Sequence, residues 1–407
     1  MSDQAFSRNT NHPTDHAIKI GNIVNQLRLH HQDAWILSSP AGIFYTTGFQ
    51  SGLSRGTGRT GALSVVTADG EVHLVLAEFE AEAARLIADP SVHIETYPVW
   101  IYIEEYSTPG VAKEVQPADD AAINIAVDIL KRTLKPGGDG TPRVGIQTTW
   151  LNYTTGRDLL GQLAAYEVED IESAFYEARV IKTPDEVAKL RFNAQAAEAA
   201  MNLTARAVVP GMSTRDVYAI YKKHCLERTP NATELTGFHT IGHHFSPYFD
   251  PADYTIRRGD IIRLDGGPYT YGYKSDIART FVVGDEVDSE NQRIYDRLWE
   301  GFHYGVEHAG PGVRFSDLYK GIAERIHLDE YAYVRGHFGH SISCGEVGEE
   351  APFIAPNEDR PLEPGMVLCL ETPFYSSKHQ TYNIEDTFVV TEDGVEFFTH
   401  ASPSLHV

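Results

Sequence analysis

The chain contains few cysteines and few basic residues. Among its 407 residues there are three cysteines, and 34 lysines and arginines stand against 57 aspartates and glutamates. Cys225, Cys344 and Cys369 are odd in number and far apart, so they predict neither a disulfide framework nor a paired-cysteine metal site. This use of cysteine favours a reducing compartment, and we expect a cytoplasmic protein.

The formal net charge of −23 argues against nucleic acid as a partner, because an acidic surface repels a phosphate backbone. No basic run suggests binding to a membrane surface, and no apolar run approaches the roughly 18 residues of a membrane span. The N-terminal segment is polar and lacks the apolar stretch of a signal peptide. Residues 1–16 are therefore predicted to form a disordered tail.

The length and composition predict two globular domains. Hydrophobic residues make up 42% of a chain that is longer than a single core usually supports. From residue 17 to about 165, apolar strands alternate with helical patterns, which indicates an α/β domain. Over 166–407, helical patterns alternate with strand pairs, which predicts an α+β domain with an antiparallel sheet. Thr183, Pro184 and Glu186 form a capping-box signal for a long helix at its start.

One strand pair of the second domain carries two aspartates. Apolar strands flank a turn-rich segment from Pro268 to Gly272. A hairpin centred between Thr270 and Tyr271 would place Asp265 directly opposite Asp276, and opposed residues share a sheet face with Cβ atoms about 5 Å apart. Two such carboxylates repel each other unless a proton or a cation neutralises them.

A second strand pair repeats this pattern with glutamates. A hairpin centred on Lys378 would place Glu371 opposite Glu385. Two facing carboxylate pairs carry four negative charges, which two divalent ions would balance. Carboxylates with one imidazole favour Mn, Fe, Co or Zn over Ca and Mg. His340, in a histidine-rich strip that also contains His337, could supply that imidazole.

These segments resemble the "pita-bread" family that includes methionine aminopeptidase, aminopeptidase P, prolidase and creatinase. The resemblance covers most of the chain and is closest to the prolidase-like Xaa-Pro peptidases. The motifs that carry it are Asp265-x-Gly267, Ser275-Asp276-Ile277-Ala278-Arg279-Thr280, Gly339-His340-Ser341-Ile342, the run from Pro364 to Glu371, and Ile384-Glu385-Asp386-Thr387. Segments 183–191 and 39–49 resemble the openings of the family's catalytic and N-terminal domains.

The resemblance implies a fold, a metal site and a chemistry. The fold would be a creatinase-like α/β domain over 17–165 followed by a pita-bread catalytic domain over 166–407. Asp276 and Glu385 would bridge two divalent ions, Asp265 would bind one of them, and His340 and Glu371 would complete the other. Glu371 would also be the acid–base group, beside a water that two metal ions activate as hydroxide.

The chain departs from the peptidases at several positions. They carry a second histidine, in a His-Glu-x-Pro strip, seven residues after the ligand histidine; at that spacing this chain has Val347, and its strip to Pro352 is longer. Many prolidases end in Gly-Val-Arg-Ile-Glu-Asp, whereas Asn383 stands here where they have the arginine. His243 and His244 resemble a substrate-side pair, and either of them or His337 could replace the missing histidine as a donor to the substrate.

Three functions follow from this pattern. The first is a hydrolase of a small amide, of an Xaa-Pro dipeptide or of another C–N bond. The second is a non-peptidase of the same family, similar to creatinase, ectoine hydrolase or a dimethylsulfoniopropionate lyase, as the loss of the peptidase histidine suggests. The third, a catalytically silent binding protein, conflicts with five intact ligand-type residues. The resemblance to prolidase-like proteins also implies a homodimer, in which the aromatic segment 100–106 could line the active-site pocket of the partner.

Overall fold

The computed structural model describes residues 13–56, 61–99, 121–134, 140–237, 239–242, 254–345 and 348–406. The chain forms two compact units that divide between Arg179 and Val180. The domain limits expected from the sequence, 17–165 and 166–407, stay a prediction. Within the described ranges, no helix combines the length and the apolar character that a membrane span requires.

The first unit is built on a mixed sheet of six strands in its described part. They are β1 (Ala34–Leu37), β2 (Ala62–Thr67), β3 (Val72–Ala77), β4 (His93–Tyr97), β5 (Arg143–Ile146) and β6 (Glu167–Asp170). The spatial order is β4-β3-β2-β1-β5-β6, with antiparallel pairing from β3 through β2 to β1 and parallel pairing elsewhere. The helices are α1 (Pro13–Leu29), α2 (Pro40–Thr47), α3 (Gly52–Gly56), α4 (Ala81–Ile87), α5 (Ala121–Thr133), α6 (Tyr153–Gln162) and α7 (Glu172–Ala178).

The apolar pattern explains this arrangement. Every residue of β2 and of β3 is buried, which is the pattern of strands covered on both faces. A hairpin joins them, since Val66 pairs with Val72 and Gly70 in the turn has φ +90°. On α5, Ile123 and Val127 point into a core shared with the sheet. The first unit is thus an α/β domain, as the sequence predicted.

The second unit is built on a long antiparallel sheet. Its strands are β7 (Glu234–Gly237), β8 (Thr240–Ile241), β9 (Ile261–Tyr269), β10 (Ala278–Val282), β11 (Gly339–Ser341), β12 (Glu350–Phe353), β13 (Val367–Glu371), β16 (Glu385–Val390) and β17 (Val395–Phe397), with a separate pair of β14 (Phe374–Ser376) and β15 (Gln380–Tyr382). The main order is β12-β11-β13-β16-β10-β9-β7. The helices are α8 (Pro184–Ala207), α9 (Thr214–Arg228), α10 (Ser289–His308) and α11 (Phe315–Ile326).

Helix α8 begins where the sequence predicted. The Thr183 side chain accepts a hydrogen bond from the backbone N–H of Glu186, and the Glu186 side chain accepts one from the backbone N–H of Thr183. This reciprocal pair satisfies two backbone donors that the first turn of a helix would otherwise leave without partners. Pro184 occupies the first turn, where it needs no donor of its own.

The sheet of the second unit separates an apolar core from a polar face. Leu368 and Leu370 belong to the core that contains Leu298 and Phe302 of α10. Side chains alternate along a strand, so the residues between and after these leucines on β13 point to the other face. Glu371 lies on that other face. The predicted α+β domain with an antiparallel sheet is confirmed. Because side chains alternate along each strand, the polar face is the one opposite the apolar core.

Candidate metal centre

The first hairpin is present, but its expected register is wrong. Asp265 pairs with Ala278 and not with Asp276. The turn is centred on Tyr271 and Gly272, whose φ values of +55° and +82° define a two-residue turn of the type favoured in hairpins. The shift amounts to two residues along β10, and side chains repeat with a period of two. Asp276 therefore keeps the face of Asp265 and lies diagonal to it.

The second hairpin has the predicted register. Glu371 on β13 pairs with Glu385 on β16. Glu385 in turn pairs with Ala278 on β10, which pairs with Asp265 on β9. These four residues form one row across four neighbouring strands, and directly opposed residues share a face. The row thus brings three carboxylates to one face, with the small side chain of Ala278 between Asp265 and Glu385.

A parallel row lies two residues away along the strands. His340 on β11 pairs with Cys369 on β13, and Cys369 pairs with Thr387 on β16. The Thr387 hydroxyl donates to the backbone oxygen of Asp276 at 2.7 Å, which fixes the segment that enters β10. Side chains of alternate residues share a face, so His340 and Asp276 lie on the same face as the carboxylates of the first row.

The side-chain atoms of the two rows approach closely enough for a divalent ion. His340 Nε2 lies 3.8 Å from Asp276 Oδ2 and 3.8 Å from Glu385 Oε1. With Cys369 Sγ, these atoms all lie within 4.8 Å of one another. Ligands on opposite sides of an ion at about 2.0–2.2 Å are about 4 Å apart. The donors therefore fit one ion, and Asp265 and Glu371 offer the further oxygens that a second ion would need.

The electrostatics of the site also fit cations. Burial raises the pKa of Asp276 and of Glu385 well above the ordinary carboxyl range, and the neighbouring carboxylates raise both pKa values further. Burial also raises the pKa of Asp265, against the influence of Arg263. A bound cation would relieve this repulsion by stabilising the ionised form. Burial raises the pKa of the Cys369 thiol well above its usual value, and a neutral thiol is a poor ligand.

Asn383 joins three of the carboxylates. Its side-chain amide lies 3.2 Å from Asp265 Oδ2, 3.1 Å from Glu385 Oε2 and 3.5 Å from Glu371 Oε2. An amide nitrogen carries two protons, so these acceptors share them. Asn383, which stands where many prolidases have an arginine, therefore links three of the carboxylates through its side-chain amide.

Two further residues bind the backbone of Asp265 and Gly266, and they were not apparent from the sequence. The backbone N–H of Asp265 donates to His239 Nδ1 at 3.2 Å, and Tyr221 donates to the backbone oxygen of Gly266 at 3.3 Å. Burial lowers the pKa of His239 to about 3, so its ring stays neutral and can accept this bond. Neither residue stands near a recognisable motif, and only the fold brings them to β9.

His337 lies at the site, as the sequence allowed. Its Nδ1 is 3.4 Å from Glu371 Oε1, and its Nε2 is 3.5 Å from Glu349 Oε2. The other histidine candidates, His243 and His244, lie outside the described residues, as do Val347 and the aromatic segment 100–106. Glu349 was missed, because a fixed spacing from His340 pointed to position 347. The longer strip instead places Glu349 on the wall of the site.

The five predicted ligand-type residues line one cavity of about 460 Å³. The other residues on its wall are Arg263, Arg335, His337, Gly348, Glu349 and Tyr375. A volume of this size is in the range of small-molecule sites. Four carboxylates and one histidine, open to such a cavity on an antiparallel sheet, form the site of a metal-dependent enzyme.

The chain belongs to the metallopeptidase family M24, whose model matches residues 188–392. The model of the creatinase/prolidase N-terminal domain matches residues 19–181. The resemblance seen in the motifs is thereby confirmed, together with the two-domain fold class. The protein is a metallohydrolase, and its family implies divalent metal ions as cofactors.

Two curated relatives cover different shares of the chain. The Xaa-Pro dipeptidase of Pyrococcus furiosus is 31% identical over 285 residues, which are 68% of this chain and 77% of the relative. The uncharacterized peptidase YqhT of Bacillus subtilis is 25% identical over 390 residues, which are 95% of this chain and 98% of the relative. The similarity to the second relative thus extends over both units.

Solved structures show the same fold. The Xaa-Pro dipeptidase from Bacillus anthracis superimposes with a TM-score of 0.77 at 23% identity, covering 96% of this chain and 99% of that one. The X-Pro aminopeptidase from Thermotoga maritima gives a TM-score of 0.76 at 18% identity, covering 95% and 99%. At identities this low, the likeness establishes the fold but not the substrate.

We expect the metal-free protein to lose stability as the pH rises. The folded-state pKa values of Asp276 and Glu385 lie above those of the unfolded chain. The folded chain thus binds more protons, and stability that is present below about pH 4 is lost as the pH rises through the raised values. The free energy of unfolding should fall by up to about 1.4 kcal/mol per pH unit for each proton released.

Urea unfolding in chelator between pH 5.5 and 8 measures this slope. The matched variant is Asp276→Asn, which removes one of the repelling charges at nearly constant shape. Its slope should be shallower than that of the unmodified protein, and the variant should be the more stable of the two at pH 8. Equal slopes would show that the buried carboxylates do not govern the pH dependence.

Proposed function

We propose that this protein is a dinuclear-metal dipeptidase that hydrolyses Xaa-Pro dipeptides. The observation that carries the proposal is the pair of rows that brings Asp265, Asp276, His340, Glu371 and Glu385 to one face of the sheet. The 31% identity to an Xaa-Pro dipeptidase supports the choice of dipeptides as substrates. In this proposal the five residues hold two divalent ions, with manganese as a candidate alongside Fe, Co and Zn.

When bound, the ions would lower the pKa of water enough to generate hydroxide near neutral pH. Glu371 would take a proton at its carboxylate and pass it to the leaving nitrogen. Its orientation is already fixed, since Oε1 accepts from Arg335 Nη2 at 2.9 Å and Oε2 faces the Asn383 amide. A base held in this way loses little freedom when the substrate arrives.

His337 is our candidate for the donor to the scissile carbonyl. The backbone N–H of Gly339 donates to its Nδ1 at 3.4 Å, and this bond favours the tautomer with the ring proton on Nε2. Burial lowers the pKa of His337 to about 4, with a further contribution from Arg335, so the ring is neutral at pH 7. A neutral N–H on the cavity wall could donate to a developing oxyanion.

A substrate panel tests the proposal. The manganese-loaded protein should cleave Ala-Pro and related Xaa-Pro dipeptides with kcat/KM of about 10⁴ M⁻¹s⁻¹ or above, and chelation should abolish turnover. His337→Ala should lower kcat against the same dipeptides if His337 is the carbonyl donor. Turnover of creatine-like or ectoine-like C–N compounds, with no cleavage of any Xaa-Pro dipeptide, would reject the dipeptidase in favour of the non-peptidase alternative.

We further propose a cytoplasmic homodimer. The three cysteines are all buried and odd in number, which suits a reducing compartment. On the first unit, Tyr153 and Leu160 are 82% and 50% exposed beside an apolar groove, the kind of surface that a second copy could cover. Light scattering on the purified protein measures the oligomeric state.

A further inference from the structure

Two histidines and two glutamates share one face of the sheet in the first unit. His73 on β3 pairs with His93 on β4, which lies at the edge of the sheet, and Glu95 follows His93 by two residues on β4. Glu71 lies just before β3, and its Oε2 is 3.7 Å from His73 Nε2. Side chains of alternate residues share a face, so Val75 continues this face into the apolar core beside α5.

A carboxylate determines where the buried ring of His73 carries its proton. His73 is 6% exposed, and its Nδ1 lies 3.1 Å from Glu95 Oε1. Arg132, in the last turn of α5, donates to the same carboxylate oxygen. A carboxylate beside a guanidinium is held in its ionised form, which can only accept hydrogen bonds. The proton between His73 and Glu95 therefore belongs to Nδ1.

The other ring nitrogen of His73 lies near a second acceptor. Nε2 is buried and makes no hydrogen bond within the described residues, and the nearby Oε2 of Glu71 is also an acceptor. Burial lowers the pKa of His73, and the neighbouring His93 and Arg132 lower it further. Glu71 acts in the opposite direction without reversing the shift. At neutral pH the ring is thus neutral, and its lone pair on Nε2 lacks a positive partner, which is unfavourable in a buried position.

This arrangement is typical of a histidine that binds a metal ion. Such a histidine binds the ion through one nitrogen and donates its other N–H to a carboxylate, as His73 does to Glu95. Two ligands that are each about 2.0–2.2 Å from one ion lie about 3.3–4 Å apart. The 3.7 Å between His73 Nε2 and Glu71 Oε2 therefore leaves space for an ion bound by both.

His93 offers a third ligand. Its ring stacks on that of His73, with the ring centroids 4.9 Å apart and the planes inclined by 27°. His93 is exposed, so rotation about its side-chain bonds can turn a ring nitrogen toward the ion. Two imidazoles and one carboxylate are a ligand set that zinc uses in proteins, with water in the fourth position.

We propose that His73, His93 and Glu71 form a zinc site on the first unit. Glu95 orients His73 in this site, and Arg132 binds Glu95. The ion joins the edge strand β4 to β3, because each of these strands supplies one ligand. None of these residues lines the cavity of the second unit, so the site is separate from the metal centre described above and does not depend on the proposed function.

Zinc content at a fixed free zinc concentration tests the site. The full chain is dialysed against a micromolar zinc buffer, and the bound metal is then measured. The metal centre of the second unit would also take up zinc, so the test compares variants. His73→Gln should bind one zinc ion fewer per chain than the unmodified protein, and the same loss should appear in the Asp276→Asn background. Equal zinc content with and without His73→Gln would overturn the proposal.

Two substitutions at exposed positions test the other ligands without changing a buried side chain. Glu71→Gln and His93→Gln should each raise the Kd for this zinc ion at least about tenfold, because loss of even an outer partner costs about 10–100-fold. Glu82→Gln and His303→Gln, at exposed positions on α4 and α10, are the matched controls and should bind zinc as the unmodified protein does. Unchanged affinity in both Glu71→Gln and His93→Gln would contradict the ligand set.

Anomalous diffraction at the zinc edge locates the ion in crystals of the unmodified protein. This measurement does not depend on whether the His73→Gln variant folds. The expected result is a peak about 2.0–2.1 Å from His73 Nε2, with His93 and Glu71 as further ligands. Zinc peaks confined to the cavity of the second unit would overturn the proposal.

Discussion

The Asp276→Asn variant should lose most of its bound metal. Asp276 lies two residues before β10. Its Oδ2 is 3.8 Å from His340 Nε2, and its backbone oxygen accepts a hydrogen bond from the Thr387 hydroxyl. An amide in its place keeps the shape but removes the negative charge and turns a donor toward the ion. Substitution of outer residues around metal sites already costs about 10–100-fold in affinity. A loss beyond about 100-fold is therefore expected for a ligand.

Metal analysis after dialysis against micromolar manganese measures this loss, and dipeptide turnover should fall with the metal content. Asp296→Asn is the matched control, since Asp296 is an exposed aspartate on α10 that accepts a hydrogen bond from Gln292. It should retain both ions and full activity. If the Asp276→Asn protein still binds two manganese ions at the original affinity, Asp276 is not a metal ligand.

The second large effect is expected for Glu371→Gln. The amide cannot accept a proton, and loss of a general base costs about 10² to 10⁴ in rate. Glu371 is also a proposed ligand, so the comparison must be made at manganese concentrations that fill the site. Under those conditions kcat should fall by about this factor while the melting temperature changes little, because the hydrogen bond from Arg335 can be kept by the amide oxygen.

Glu300→Gln, which removes an exposed carboxylate from α10, should have no effect on kcat. The manganese content of each protein should be measured in the same samples. If Glu371→Gln turns over dipeptides at a near-normal rate with both ions bound, another group must carry the proton, and His337 would be the first to test.

The sequence predicted the ligand-type residues and their common face better than their register. The pairing of Glu371 with Glu385 was correct, because two apolar strands flank a single central turn. The pairing of Asp265 was wrong by two residues, because Tyr271 adopts a positive φ that a tyrosine seldom adopts. The predicted common face was nevertheless correct, because a shift of two residues keeps each side chain on the same face of the sheet.

Other features could not be read from local patterns. The edge strand β6, Glu167–Asp170, is largely exposed and carries no apolar alternation, so no periodic pattern predicted it. Asn383 and Arg335 contact carboxylates that lie far from them in the sequence, and their roles depend on tertiary structure. Local periodicity predicts elements and faces, whereas such contacts require the assembled sheet.

A crystal structure of the manganese-loaded protein, measured at a wavelength where manganese scatters anomalously, tests the central claim most directly. The account predicts two anomalous peaks on the polar face of the sheet, with Asp276 and Glu385 shared between them. Asp265 would bind one ion, and His340 with Glu371 would bind the other. A single peak, or a second ion held by Cys369 or His337 in place of these carboxylates, would contradict it.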